Sequence, residues 1–121
     1  MNEIGSRTQA LPAPPRVVWR SLAVPDERGT RAWLADGLRS DEVVPTVLEA
    51  DEPHRVLWST LWPHRPEDVI ELLVEPAARD TTRLRSTHLT PHDLPPDAKV
   101  GHLRERVNQL LFADLRFSYG Q

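Results

Sequence analysis

The stretch DLPPDAKVGHLRERVNQLLFADLRFSY, Asp93 to Tyr119, decides how the rest of the chain must be arranged. Val100, Leu103, Val107, Leu110, Leu111 and Leu115 recur mostly at three- and four-residue steps, so they share one stripe of an α-helix. Arg104, Glu105, Asn108 and Asp114 fall mostly on the other side, which makes the helix amphipathic rather than buried all round. Asp93 reads as the N-cap, Pro95 and Pro96 suit a first turn whose N–H groups lack partners, and Gly120 is a natural stop. The predicted helix, from about Pro95 to Tyr119, runs on the order of 35 Å at about 1.5 Å per residue. An apolar stripe of that length needs a partner surface, and the middle of the chain supplies a β-sheet.

Four strand-like runs lie there, separated by turn residues. Glu42 to Ala50 is the first, with Pro45 pointing to an edge position or a late start. In Arg55 to Trp62, Val56, Trp58, Thr60 and Trp62 alternate with Arg55, Leu57, Ser59 and Leu61. Glu67 to Glu75 puts Ile70, Leu72 and Val74 on one face. Thr81 to Thr90 sets Thr82, Leu84, Ser86 and His88 opposite Arg83, Arg85, Thr87 and Leu89. Asp51 to His54, Pro63 to Pro66 and Pro76 to Asp80 are the turns, too short for parallel crossovers, so the runs form an antiparallel meander. Before them, Ile4 to Leu11 reads as a strand ended by Pro12. Pro14-Pro15 opens a short helix with Val18, Trp19 and Leu22 on one face before Pro25, and Thr30 to Leu38 is a second helical segment. The order is β-α-α-β-β-β-β-α: an α+β domain with about five strands and a long helix across one sheet face.

A chain of 121 residues suits one domain, residues 1–121, and 39% hydrophobic with 27% charged residues is the composition of a folded one. The net charge of −3 argues against a nucleic-acid partner. With no cysteine, disulfides, thiolate zinc sites and a cysteine nucleophile are excluded together. Met1 to Ala10 carries no apolar signal region and no run approaches a transmembrane length, so the expected location is cytoplasmic, with no membrane partner. GxSxG, HExxH, P-loop and strand-linked GxGxxG motifs are absent.

Three words carry a family resemblance. Ala13-Pro14-Pro15-Arg16-Val17-Val18-Trp19 opens the first helix, and Val47-Leu48-Glu49-Ala50-Asp51-Glu52-Pro53-His54-Arg55-Val56-Leu57-Trp58 spans the first hairpin. Asp80-Thr81-Thr82-Arg83-Leu84-Arg85 begins the last strand. With the long terminal helix they resemble the START-like helix-grip superfamily (SRPBCC), which includes polyketide cyclase/dehydratase-type and lipid-transfer proteins. Members usually carry two further strands between the short helices and the hairpin. Here Leu38 to Glu42 leaves room for a truncated one at best, so a smaller, more open sheet is expected.

The resemblance implies a small hydrophobic or aromatic molecule held between sheet and helix. The residues to line such a space are Trp58, Thr60, Trp62, Ile70, Leu72, Leu84, Ser86 and His88 from the sheet, with Leu103, Val107, Leu110 and Leu111 from the helix. The plainer alternative is that they are simply the core. Thr60, Ser86 and His88 favour a ligand, being polar residues among apolar neighbours. His88 is the best acid–base candidate, although no carboxylate stands at a useful local spacing. His88 and His92 flank Pro91 about 13 Å apart in an extended chain at roughly 3.3 Å per residue, so no metal site and no cofactor are expected. Three functions compete: a binder without chemistry, a cyclase/dehydratase-like enzyme, and a co-chaperone-like interaction module. The shortened sheet should also leave an edge uncovered, which points to a homodimer.

Overall fold

The computed structural model describes residues 1–24 and 32–120; the end of the first helix at Pro25 and the start of the second at Thr30 lie outside them. Strand β1 (Asn2–Leu11) is followed by helices α1 (Pro15–Ala23) and α2 (Ala32–Gly37). Four strands come next: β2 (Val47–Asp51), β3 (Arg55–Ser59), β4 (Val69–Ala77) and β5 (Thr81–Thr90). The long helix consists of α3 (Asp97–Gln109), a π-helical stretch (Leu110–Leu115) and a last turn, α4 (Arg116–Ser118). All five strands form one antiparallel sheet in the order β1-β5-β4-β3-β2, so β1 closes against the last strand and its far edge is unpaired among the described residues.

The inward face follows the sequence alternation. Gly5, His88, Ile70 and Trp58 stand on one rung of β1, β5, β4 and β3; Arg7, Ser86, Leu72 and Val56 stand on the next. Leu103, Val107, Leu110, Leu111 and Leu115 of the long helix are buried against this face. They form one apolar cluster with Trp58, Trp62, Ile70, Leu72, Leu84, and Leu22 and Leu34 from the short helices. The outward face carries Arg83, Arg85 and Glu75 into solvent, as a half-buried antiparallel sheet does.

Several boundaries differ from the sequence reading, each for a physical reason. The helix begins at Asp97 with Pro96 as its N-cap, and Asp93 makes no capping bond. Two prolines fix the turn geometry, and the Pro96 carbonyl receives the first bonds, from the N–H groups of Lys99 and Val100. Residues 42–46 are not strand: Pro45 delays β2 to Val47, and Glu42 is drawn inward by an arginine of the helix. β3 stops at Ser59, because the Thr60 hydroxyl accepts from the Trp62 N–H at 3.0 Å and folds the chain there. Pro76 lies within β4, opposite Thr82, rather than in the turn. The turn itself is tightened at Ala78–Asp80, where Arg79 and Asp80 take positive φ.

Candidate functional site

The residue that organises the site is His88. Strand alternation turns its side chain inward between Ser86 and Thr90, and it is 3% exposed. The β4–β5 register runs without a shift from Ala77–Thr81 to Val69–Leu89, which brings the residue just before β4, Asp68, beside it. His88 Nε2 lies 2.9 Å from Asp68 Oδ2. Arg65 Nε donates to the same oxygen at 2.5 Å, and Arg65 Nη2 reaches Thr90 Oγ1 at 3.4 Å. The Trp62 indole stacks on the imidazole, with centroids 5.5 Å apart and planes 17° from parallel. The turn from Trp62 to Asp68 is closed by backbone bonds from Arg65 N–H to Trp62 and from Asp68 N–H to Arg65.

This geometry assigns the protons. Burial pushes the Asp68 carboxyl up, but hydrogen bonds from Arg65, Thr90 and His88 outweigh it and hold the group below its ordinary range. Burial pushes His88 down, and the Asp68 bond only partly offsets it. An ionised Asp68 can only accept, so Nε2 of a neutral His88 carries the hydrogen, leaving Nδ1 with its lone pair. That Nδ1 is buried without a hydrogen-bond partner among the described residues, as are Trp62 Nε1 and Asp68 Oδ1. Buried polar atoms are seldom left so, and here all three belong to residues in mutual contact. The arrangement offers an acceptor and candidate base at Nδ1, with the ring orientation set by a carboxylate.

One small space adjoins His88, and a larger one lies beyond it. A cavity of about 10 Å³, close to the size of one water, is lined by Gly5, Ser6, Ser86, His88, Arg104, Val107 and Asn108. An open groove of about 820 Å³ lies between β1 and the long helix, lined by Arg7, Gln9, Arg39, Gly101, Arg104, Glu105, Asn108, Gln109, Phe112 and Ala113. Arg104 and Asn108 wall both. Gly5 matters here, because a Cβ at that position would overlap Cγ of Arg104; the arginine stem rests directly on the strand backbone.

Of the twelve residues singled out in the sequence, eleven are inside. Trp62, Ser86, His88 and Val107 come together around the cluster and the cavity. Trp58, Ile70, Leu72, Leu84, Leu103, Leu110 and Leu111 are buried in the apolar cluster, and the Trp58 indole donates to the Leu22 carbonyl at 2.8 Å. Thr60 is the exception: it stands past the strand end, and its hydroxyl is used within its own turn. No carboxylate stands at a useful local spacing from His88, and its partner Asp68 is twenty residues away. Local spacing misses such a partner; the register of the hairpin, centred on Arg79, would have found it. Also unforeseen is Arg106, buried at 2% exposure on a helix face that is otherwise apolar. It holds Glu42 through Nη2–Oε1 at 2.6 Å and Nε–Oε2 at 2.7 Å, and donates to the Gly37 carbonyl at 3.0 Å.

A five-stranded antiparallel sheet lying against a long C-terminal helix, with short helices after the first strand, is the START-like helix-grip arrangement. Among solved structures, Aha1 from Colwellia psychrerythraea, solved as a dimer in solution, superposes with a TM-score of 0.69 at 16% identity, covering 96% of this chain and 94% of that one. CalU16 from Micromonospora echinospora gives 0.65 at 16% identity over 93% of this chain and 73% of its own. Ara h 8.0201 gives 0.63 at 15% over 97% of both. At these identities the likeness is one of fold. No protein-family model and no curated protein sequence matches the chain.

Proposed function

We propose that the protein binds a small molecule with an apolar or aromatic body between the sheet and the long helix, its polar group meeting His88. The observation that carries this reading is the buried, unpartnered Nδ1 of His88, on a residue that lines a cavity sharing two walls with a groove at the surface. Val107 lines that cavity, and the packed core of Trp62, Ile70, Leu72, Leu84, Leu103, Leu110 and Leu111 lies behind it, so an apolar body would have to part these side chains. With only about 10 Å³ at His88, entry requires Arg104 or neighbouring side chains to move, which points to broad and moderate affinity. Trp62 stacks on His88, so ligand entry should change intrinsic fluorescence saturably. Trp62→Phe should remove most of that change while the protein stays folded. A panel of hydrophobic probes that gives no saturable response would refute the reading.

A homodimer is favoured by one feature, the open edge of β1. Ten residues long, it contains no proline or lysine to blunt it, and between the register shift at Glu3–Gly5 and the Ala10 carbonyl, which Arg116 holds, its outer side has no strand partner among the described residues. A second copy pairing there antiparallel would extend the sheet across a two-fold axis. Aha1, which shares the fold, was solved as a dimer. Sedimentation at tens of micromolar, a range suited to a moderately tight dimer, would then report a two-chain mass; a monomer alone would refute the assembly.

A further inference from the structure

The groove beside β1 differs from an ordinary interface between sheet and helix. Antiparallel pairing places Gly5, Arg7, Gln9 and Leu11 on the same face as the inward residues His88, Ser86, Leu84 and Thr82. Gly5 and Leu11 meet side chains of the protein, whereas Arg7 and Gln9 look into the groove. Across from them, Gly101, Arg104, Glu105, Asn108 and Phe112 follow helical spacing and form one stripe of the long helix. Arg39, just after α2, adds a third guanidinium. Both walls are therefore mainly polar.

Charge gives this polarity a direction. The whole chain carries −3, yet three arginines line this one groove against a single carboxylate, Glu105. Among the described residues no ion pair engages the guanidinium of Arg7, Arg39 or Arg104, although Nε and Nη2 of Arg7 donate to the amide oxygen of Gln9. Gln9, Asn108 and Gln109 add amide donors, and Phe112 adds an apolar surface. The groove, about 820 Å³ and open to solvent, is wide enough for a small molecule to reach these side chains directly. Guanidinium forks recognise planar or tetrahedral oxyanions by paired charge-assisted bonds.

We infer that Arg7, Arg39 and Arg104 bind the anionic head of the ligand, a carboxylate or phosphate on an aromatic or apolar body that extends past Arg104 toward His88. This rests on the binding reading above and adds the ligand's class. Arg104 is the pivotal residue, since it walls both spaces and its stem lies on Gly5.

Titration calorimetry on the full chain tests it with three matched probes: 2-naphthoate, 2-naphthyl phosphate and the neutral 2-naphthalenemethanol. One of the acids should bind at least about ten-fold more tightly than the alcohol, the effect of one or two charge-assisted bonds, and the advantage should shrink in high salt. Which acid binds more tightly identifies the head as carboxylate or phosphate. Arg104→Gln should cost the acid about ten-fold and leave the alcohol within about two-fold; Arg7→Gln should act the same way. If alcohol and acids bind alike, or the variants weaken all three equally, the anionic class is wrong and the binding reading stands. If none of the three binds the wild-type chain at millimolar concentration, both fall.

Discussion

Arg106 and Glu42, 64 residues apart, are joined in the interior by two hydrogen bonds of 2.6 and 2.7 Å. The link fastens the connection between α2 and β2 to the long helix. The same guanidinium holds the Gly37 carbonyl, and Glu42 Oε1 also accepts from the Arg39 backbone N–H at 2.8 Å. The shortened connection is thereby tied down by side chains as well as by backbone bonds from Val43 N–H to the Leu61 carbonyl and from Ser59 N–H to the Thr46 carbonyl.

Arg106→Met should lower unfolding free energy by about 3–5 kcal/mol, because it leaves the buried Glu42 carboxylate without its counter-charge, with only the Arg39 N–H bonded to it, and takes from the Gly37 carbonyl its donor. Pairing it with Glu42→Leu should restore much of the loss. Urea denaturation of both singles and the double measures this; a loss under about 1 kcal/mol for the single variant would mean the pair is not buried as described.

The helix–sheet contact predicts a second outcome. Val107→Asp or Leu111→Asp buries an unpaired charge at positions 4% and 0% exposed, and either should cost more than about 4 kcal/mol, enough to unfold many domains of this size. A variant with the wild-type melting temperature would contradict the packing.

The His88–Asp68 pair predicts how stability depends on pH. His88 is held below its ordinary value of 6.5 by burial, so the unfolded chain takes up a proton near that pH that the folded chain resists. Stability should therefore be lost as pH falls from about 6.5, with a slope of at most ~1.4 kcal/mol per pH unit from this group. Asp68 and Glu42 are depressed by their partners despite burial, so their contributions persist in this window and disappear only at lower pH, as each folded-state carboxyl is protonated. His88→Leu should flatten the upper part of the curve in denaturation experiments between pH 7.5 and 5. An unchanged curve would show that His88 is not buried neutral.

Gly5 and Arg104 predict a separation of stability from binding. Gly5→Ala places a methyl where the flexible Arg104 stem lies, so the arginine must shift while the strand stays in place. The expected cost is under about 1.5 kcal/mol, since the displaced group is a flexible side chain. Calorimetry should nonetheless show an altered affinity for an acidic probe; unchanged binding would remove Arg104 from the site.

How much of this was readable in sequence depended on the range of the interactions involved. The long helix and β4 were legible because Leu103, Val107, Leu110 and Leu111 follow a period near 3.6, and Ile70, Leu72 and Val74 a period of 2. Thr60 and Glu42 were misplaced because a hydroxyl bonding within its own turn and a carboxylate reaching a distant arginine leave no trace in periodicity. His88 stood out as a polar residue on an apolar face, but its role depends on Asp68 and Trp62, which reach it through turn geometry and strand register. The arginine groove was not legible at all. Arg7, Arg39 and Arg104 lie on three separate segments, and only the closure of β1 against β5 beside the helix assembles them.

The central claim is that a ligand placed between sheet and helix reaches His88. The imidazole ¹⁵N spectrum of the protein tests it, recorded while 6-hydroxy-2-naphthoate, which carries both a hydroxyl donor and an acid, is titrated in. Before addition, His88 should show a hydrogen on Nε2 and none on Nδ1. Saturation should shift the Nδ1 signal as it accepts a hydrogen bond, with amide changes along Gly5 to Gln9 and Arg104 to Phe112. Amide changes that saturate while both His88 nitrogens stay where they were, or no saturable change anywhere, would contradict the account.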